Sequence, residues 1–133
     1  MIFVDSDAYI AINAGKDAHH SRALKLMEEL IGSDEQLVTS WQVADEVATK
    51  LSYFTTKKNA VKFLRSLLRQ GTRIEYVDAA MAIKVAGVFL RQTSKRISLT
   101  DCANMAIARK LGVQVFLSFD EHYVQNGFRL FGN

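Results

Sequence analysis

Apolar residues recur along this chain with two spacings. Short runs at residues 2–4, 36–39, 73–77 and 113–117 are rich in β-branched and apolar residues, which predicts strands. The longer segments 6–14, 19–31, 40–51, 56–70 and 78–91 repeat apolar residues at helical spacing. Residues 102–111 are mostly small or apolar all round, which predicts a buried helix. Punctuation agrees with these limits. Asp17, Ser40, Thr55 or Thr56, and Asp78 stand where N-caps are needed, and Gly15, Gly32, Gly71 and Gly112 stand at helix ends. A polar loop at 92–96 precedes the buried helix. A short helix from Glu121 and a last strand at 128–131 close the chain.

Strands alternating with helices predict an α/β fold around a mostly parallel sheet with right-handed crossovers. With 133 residues and no repeat, linker or proline, the chain reads as one domain over 1–133. Its composition is 49% hydrophobic and 23% charged, and no apolar run approaches the roughly 20 residues of a membrane helix. The opening MIFVDSD lacks a basic region and meets an acid at once, which predicts no secretory leader. Cys102 is the single cysteine, so no internal disulfide is expected and a cytoplasmic location is. A net charge of +3 favours polyanionic partners only mildly.

The strand ends carry the candidate chemistry. Open parallel sheets gather ligands at the carboxyl ends of their strands. Asp5 and Asp120 follow the first and fourth strands, and Asp101 opens the helix that feeds the fourth. Glu46 lies among Val43, Ala44, Val47 and Leu51, core-facing by pattern, and so can point inward. Converging carboxylates repel one another, which calls for raised pKa values or a bound cation. All-oxygen donors suit Mg²⁺ or Mn²⁺, and no Cys/His spacing suggests zinc. Beside a polyanion, that chemistry is phosphodiester hydrolysis. A blander reading stands next to this one. Ser98 to Asp101 and Ser118 to Glu121 both fit capping boxes, and Asp101 and Asp120 can be first-turn acids favoured by the helix dipole.

FVDSDAYIAI, ADEV, SLTDC and LSFDEHY, in that order, resemble the motifs of PIN-domain ribonucleases. The likeness is nearest to the VapC toxins of bacterial and archaeal toxin–antitoxin pairs and spans nearly the whole chain. It implies a three-layer α/β/α fold with a short sheet of four or five strands. It further implies Mg²⁺- or Mn²⁺-dependent cleavage of RNA, leaving a 5′ phosphate and a 3′ hydroxyl, by a homodimer held in check by a cognate antitoxin. By motif match Asp5, Glu46, Asp101 and Asp120 are the catalytic, metal-binding acids. Ser6 and Ser118 fall where the family carries small hydroxyl residues. Two rivals remain: a PIN nuclease of RNA processing with no antitoxin, and a PIN module that binds RNA without cleaving it. Asp5-Ser-Asp7 also resembles the Asp-x-Asp of haloacid-dehalogenase phosphatases, but Ala8 and Tyr9 depart from that pattern.

Other polar residues divide into several groups. Asp7, two places after Asp5, does not share its helical face and reads as a capping or solvent-facing acid. His19 and His20 read as surface or packing residues, His122 as a neighbour of Asp120 with no assigned role, and Cys102 as core. Residues 47–74 contain seven bases and no acid. Among them Lys58, Lys62, Arg65 and Arg69 recur at helical spacing, with Val61, Leu64 and Leu68 on another face. A single-sign row suits RNA phosphates or an acidic partner segment. Lys95 and Arg96, just before the buried helix, are the candidates for a phosphate nearer the metal.

Overall fold

The computed structural model describes residues 1–133. Five parallel strands make one sheet in the order β3-β2-β1-β4-β5. They are β1 (Ile2–Val4), β2 (Leu37–Ser40), β3 (Arg73–Glu75), β4 (Val115–Leu117) and β5 (Arg129–Leu130). The register pairs Phe3 with Val38 on one side and with Phe116 on the other. Seven helices connect the strands: α1 (Ser6–Asn13), α2 (His20–Ile31), α3 (Trp41–Phe54), α4 (Lys57–Arg69), α5 (Ala79–Arg91), α6 (Leu99–Leu111) and α7 (His122–Gln125). The path runs outward from β1 to β3 and then returns past β1 to β4. Right-handed crossovers therefore put α1–α4 on one face and α5–α7 on the other. The packing pairs α1 with α2 and α3, α3 with α4, and α5 with α6, which agrees with three α/β/α layers.

The sheet is buried from both sides, as the apolar strand runs require. Phe3, Val4, Val38, Phe116 and Leu117 are wholly inaccessible. Phe116 stacks on Phe3 and on Tyr123 with centroids 4.9 and 4.1 Å apart, and meets Phe128 edge-on at 4.9 Å. Along α6 every residue from Cys102 to Ala108 is buried, so the all-round apolar pattern holds. Gly112 ends that helix at φ 71°, where a side chain would be strained. Its N–H and that of Val113 both turn back to the Ala108 carbonyl.

Several boundaries differ from the pattern. Helix α3 continues past Leu51 to Phe54, because the Thr55 N–H and hydroxyl both close on the Leu51 carbonyl. The pattern missed this turn since Tyr53 and Phe54 are 82% and 80% exposed and mark no core face. Asp17 is not the N-cap of α2. Its carboxylate takes the His19 N–H, one residue before the helix, and His19 occupies the cap position. Helix α1 ends at Asn13 with Ala14 extended, and Gly15 supplies no left-handed stop. Strand β3 ends at Glu75, short of Val77. On α4 the buried face is Ala60, Phe63 and Leu67, while Val61 and Leu68 are exposed. Phe63 packs on the Tyr9 ring at 5.3 Å, and that contact sets the helix rotation.

Candidate active site

The strand order reverses between β1 and β4, and a crevice at their carboxyl ends follows. A cleft of about 1070 Å³ opens there, and Asp5, Asp7, Glu46, Asp101 and Asp120 all line it, with Asp17 at its border.

Asp5 is the floor of the cleft. It ends β1 and caps α1, and it is 3% exposed. Its Oδ1 accepts from the Ser6 N–H (2.7 Å) and from Asn104 Nδ2 (3.0 Å), and its Oδ2 faces Ser118 Oγ at 3.4 Å. Burial drives its pKa well above the ordinary carboxylate range, and the charges of Asp7 and Asp101 push the same way. Hydrogen bonds from Ser6 N–H and Tyr123 oppose the rise without cancelling it.

Ser6 joins this floor to α3, since its Oγ donates to Glu46 Oε2 at 2.9 Å. The other Glu46 oxygen takes Lys50 Nζ at 2.8 Å, an i,i+4 pair. Glu46 therefore does point toward β1, as its apolar neighbours implied. Asp101 accepts the Ser98 N–H at 2.8 Å while Ser98 Oγ accepts the Asp101 N–H at 3.0 Å. That capping box and the cleft position are held by one residue, so the two readings of Asp101 coexist. The second expected box does not form. Ser118 Oγ instead takes the Asp120 N–H at 3.1 Å, and α7 begins without a side-chain cap. Asp120 is the most exposed of the acids, and its Oδ1 lies 2.7 Å from His122 Nδ1.

Asp7 departs from its sequence assignment. It is neither a cap nor a solvent acid: its Oδ2 accepts from Phe119 N–H (2.7 Å) and Ser118 Oγ (3.0 Å), and its Oδ1 is buried without a partner. Burial raises its pKa. The i,i+2 argument fails because Asp5 is the cap and has no helical backbone angles. Both side chains can then face the end of β4. His122, given no role by the sequence, is buried between two acids, with Nε2 3.7 Å from Asp101.

Asn104 was missed altogether. It is fully buried, takes the Ser40 Oγ proton at 2.7 Å, and gives its amide protons to Asp5 and to the Tyr123 hydroxyl (3.2 Å). One side chain thus ties β2, β1, α6 and α7 together beneath the cleft. The available signal was a lone amide in an otherwise apolar helix, one turn after Asp101.

The basic candidates separate. Arg96 lines the cleft together with Lys16 and Lys50, whereas Lys95 does not. Lys58, Lys62, Arg65 and Arg69 are exposed along α4 and none reaches the cleft. The cleft acids are all-oxygen donors of the kind hard cations take, and the unpartnered Asp7 Oδ1 and the like-charge pressure on Asp5 fit a cation there. No three acidic, histidine or cysteine side chains stand together at ligating separation.

A three-layer sheet with a carboxylate-lined cleft at its switch point defines a class. The family model for the PIN domain matches residues 2–128, and the chain belongs to that family. Among its relatives is the 23S rRNA-specific endonuclease VapC20 of Mycobacterium tuberculosis, 28% identical over 128 residues, covering 96% of this chain and 95% of that one. The crystal structure of VapC20, a toxin that cleaves the sarcin–ricin loop, superposes with a TM-score of 0.87 at 26% identity over 96% of both chains. VapBC2 from Rickettsia felis, bound to a promoter DNA fragment, matches 98% of this chain and 97% of its own with a TM-score of 0.67. At 14% identity that likeness concerns the fold.

Proposed function

We propose that this chain is a Mg²⁺- or Mn²⁺-dependent endoribonuclease and the toxin of a toxin–antitoxin pair, with the sarcin–ricin loop of 23S rRNA as its substrate. One observation carries the reading: six carboxylates line a single cleft in a chain that aligns almost end to end with a 23S rRNA-specific endonuclease. Asp5, Glu46, Asp101 and Asp120 are the residues to hold the ion, with Asp7 beside them. When bound, the ion lowers the pKa of a water and neutralises charge on the phosphoryl oxygens.

The chain's own groups do the positioning. Ser6 and Ser118 orient Asp5 and Glu46 through the hydroxyl contacts above. Asn104 fixes Asp5 from below. His122 holds Asp120 by its Nδ1. Arg96 and Lys16 offer positive charge to the phosphates of an RNA strand entering over the acids.

A cognate antitoxin and a homodimer belong to the same proposal. Ile83, Gly87 and Leu90 share one face of α5, and Ile83 and Leu90 are 76% and 82% exposed. An apolar face of that kind with a glycine at its centre suits close contact with a second copy. The test is cleavage of a hairpin carrying the sarcin–ricin loop by the purified chain. Cleavage is expected to stop with EDTA and return with Mn²⁺ or Mg²⁺. Full activity in metal-free buffer would sink the metal-based reading.

A further inference from the structure

The acidic cleft poses a problem for RNA, since six carboxylates repel the phosphates they must approach. One contact at its border escapes that repulsion because it is not ionic. His19 lines the cleft and is exposed. Its ring lies flat on Phe119, with centroids 4.3 Å apart and planes 7° from parallel. The stack is held at both ends. Asp17 takes the His19 N–H at 2.8 Å, and the Phe119 N–H donates to Asp7 at 2.7 Å. Phe119 precedes Asp120 directly, so the aromatic pair is tied to three of the cleft's acids. The Arg22 guanidinium lies 5.8 Å from the Phe119 centroid, within cation–π range. Although stacked on Phe119, His19 remains exposed beside the cleft.

We infer that the His19–Phe119 pair is a stacking platform for an unpaired base of the RNA, next to the phosphate held at the acids. The inference rests on the ribonuclease reading and adds to it a substrate requirement: one base beside the cleavage site must be free to leave its own stack. Every base has a π-face, so the platform selects for looped or single-stranded RNA over duplex rather than for a particular base.

The experiment uses the full chain and a labelled hairpin carrying the sarcin–ricin loop. Binding is followed by anisotropy with Ca²⁺ in place of Mg²⁺, and single-turnover cleavage is followed with Mg²⁺. His19→Ala is expected to raise the half-saturating protein concentration about tenfold, the order that one stacked base supplies, while the plateau cleavage rate holds. His19→Tyr should bind like the wild type. The salt dependence of binding should be the same in all three, since no phosphate contact is lost. Abasic nucleotides scanned through the loop should reveal one position that weakens the wild type but not His19→Ala. Unchanged affinity in His19→Ala, a flattened salt slope, failure of Tyr to restore, or no such abasic position overturns the platform. A wild type that cleaves the hairpin while any of these holds loses only the platform. A wild type that neither binds nor cleaves it overturns the sarcin–ricin substrate together with the platform.

Discussion

At the scale of single residues, Asp5 is the most constrained group in the molecule. Its folded pKa is raised, so the folded state favours its protonated form. The stability it contributes is present at low pH and is lost as pH rises from the ordinary carboxylate value through the folded one. Asp5→Asn removes that loss and keeps an oxygen for Ser6 N–H and Asn104. In EDTA the variant should melt above the wild type at neutral pH, and the gap should close below the ordinary carboxylate value. Thermal melts across that range check the sign, and a variant less stable at neutral pH contradicts it. Cleavage should fall by orders of magnitude. Asn104→Leu is expected to act in the opposite direction. It strands the Ser40 hydroxyl and removes a donor from Asp5, and should cost about 1–3 kcal/mol in denaturant unfolding.

At the scale of elements, α4 and α6 divide the charged work. The basic row on α4 lies outside the cleft, so it can position RNA or meet a partner without touching the chemistry. Replacing Lys58 and Lys62 with Gln should weaken RNA binding and flatten its salt dependence by about one counterion unit per lost contact. The single-turnover rate at saturation should hold. Arg96→Gln, at the cleft before α6, should lower that rate. If the row instead serves an acidic stretch of the antitoxin, the double Gln variant keeps its RNA affinity and loses inhibition. Titrating RNA against salt for the three proteins, and the antitoxin against the wild type and the double Gln variant, separates these outcomes. Helix α6 begins with a capping box that includes a cleft acid. Ser98→Ala should therefore cost about 1 kcal/mol of stability and also loosen Asp101, lowering activity more than the stability change alone explains.

At the scale of the whole molecule, the return of the chain past β1 creates the site. Strands β1 and β4 are neighbours only because the path turns back after β3, and their carboxyl ends bring Asp5 and Ser118 within 3.4 Å across 113 positions. The open face of α5 bears on assembly at the same scale. Leu90→Glu should shift the chain to a monomer in sedimentation velocity, while Lys58→Gln should not. A wild type that sediments as a monomer at micromolar concentration would remove the homodimer from the proposal. No helix is long and apolar enough to cross a membrane.

The sequence by itself determined the kinds of element and the edge of the sheet at which chemistry collects. Both follow from local rules: apolar period, caps, Gly112 at a left-handed stop, and acids placed just after strands. Four of the six acids in the cleft were legible from strand ends, a helix start and an apolar helix face, and their order on the chain carried the family resemblance. What only the tertiary structure decided were side-chain directions that depend on distant partners. Asp7 faces inward because Ser118 and the Phe119 N–H await it from β4's end. Asn104 becomes the junction beneath the cleft because Ser40, Asp5 and Tyr123 arrive around it from three other elements. His19 meets Phe119 a hundred residues away. The rotation of α4 was set by Phe63 against Tyr9 rather than by its own charge pattern. Periodicity ranks faces within one helix, and it carries no information about which donor or ring another segment will present.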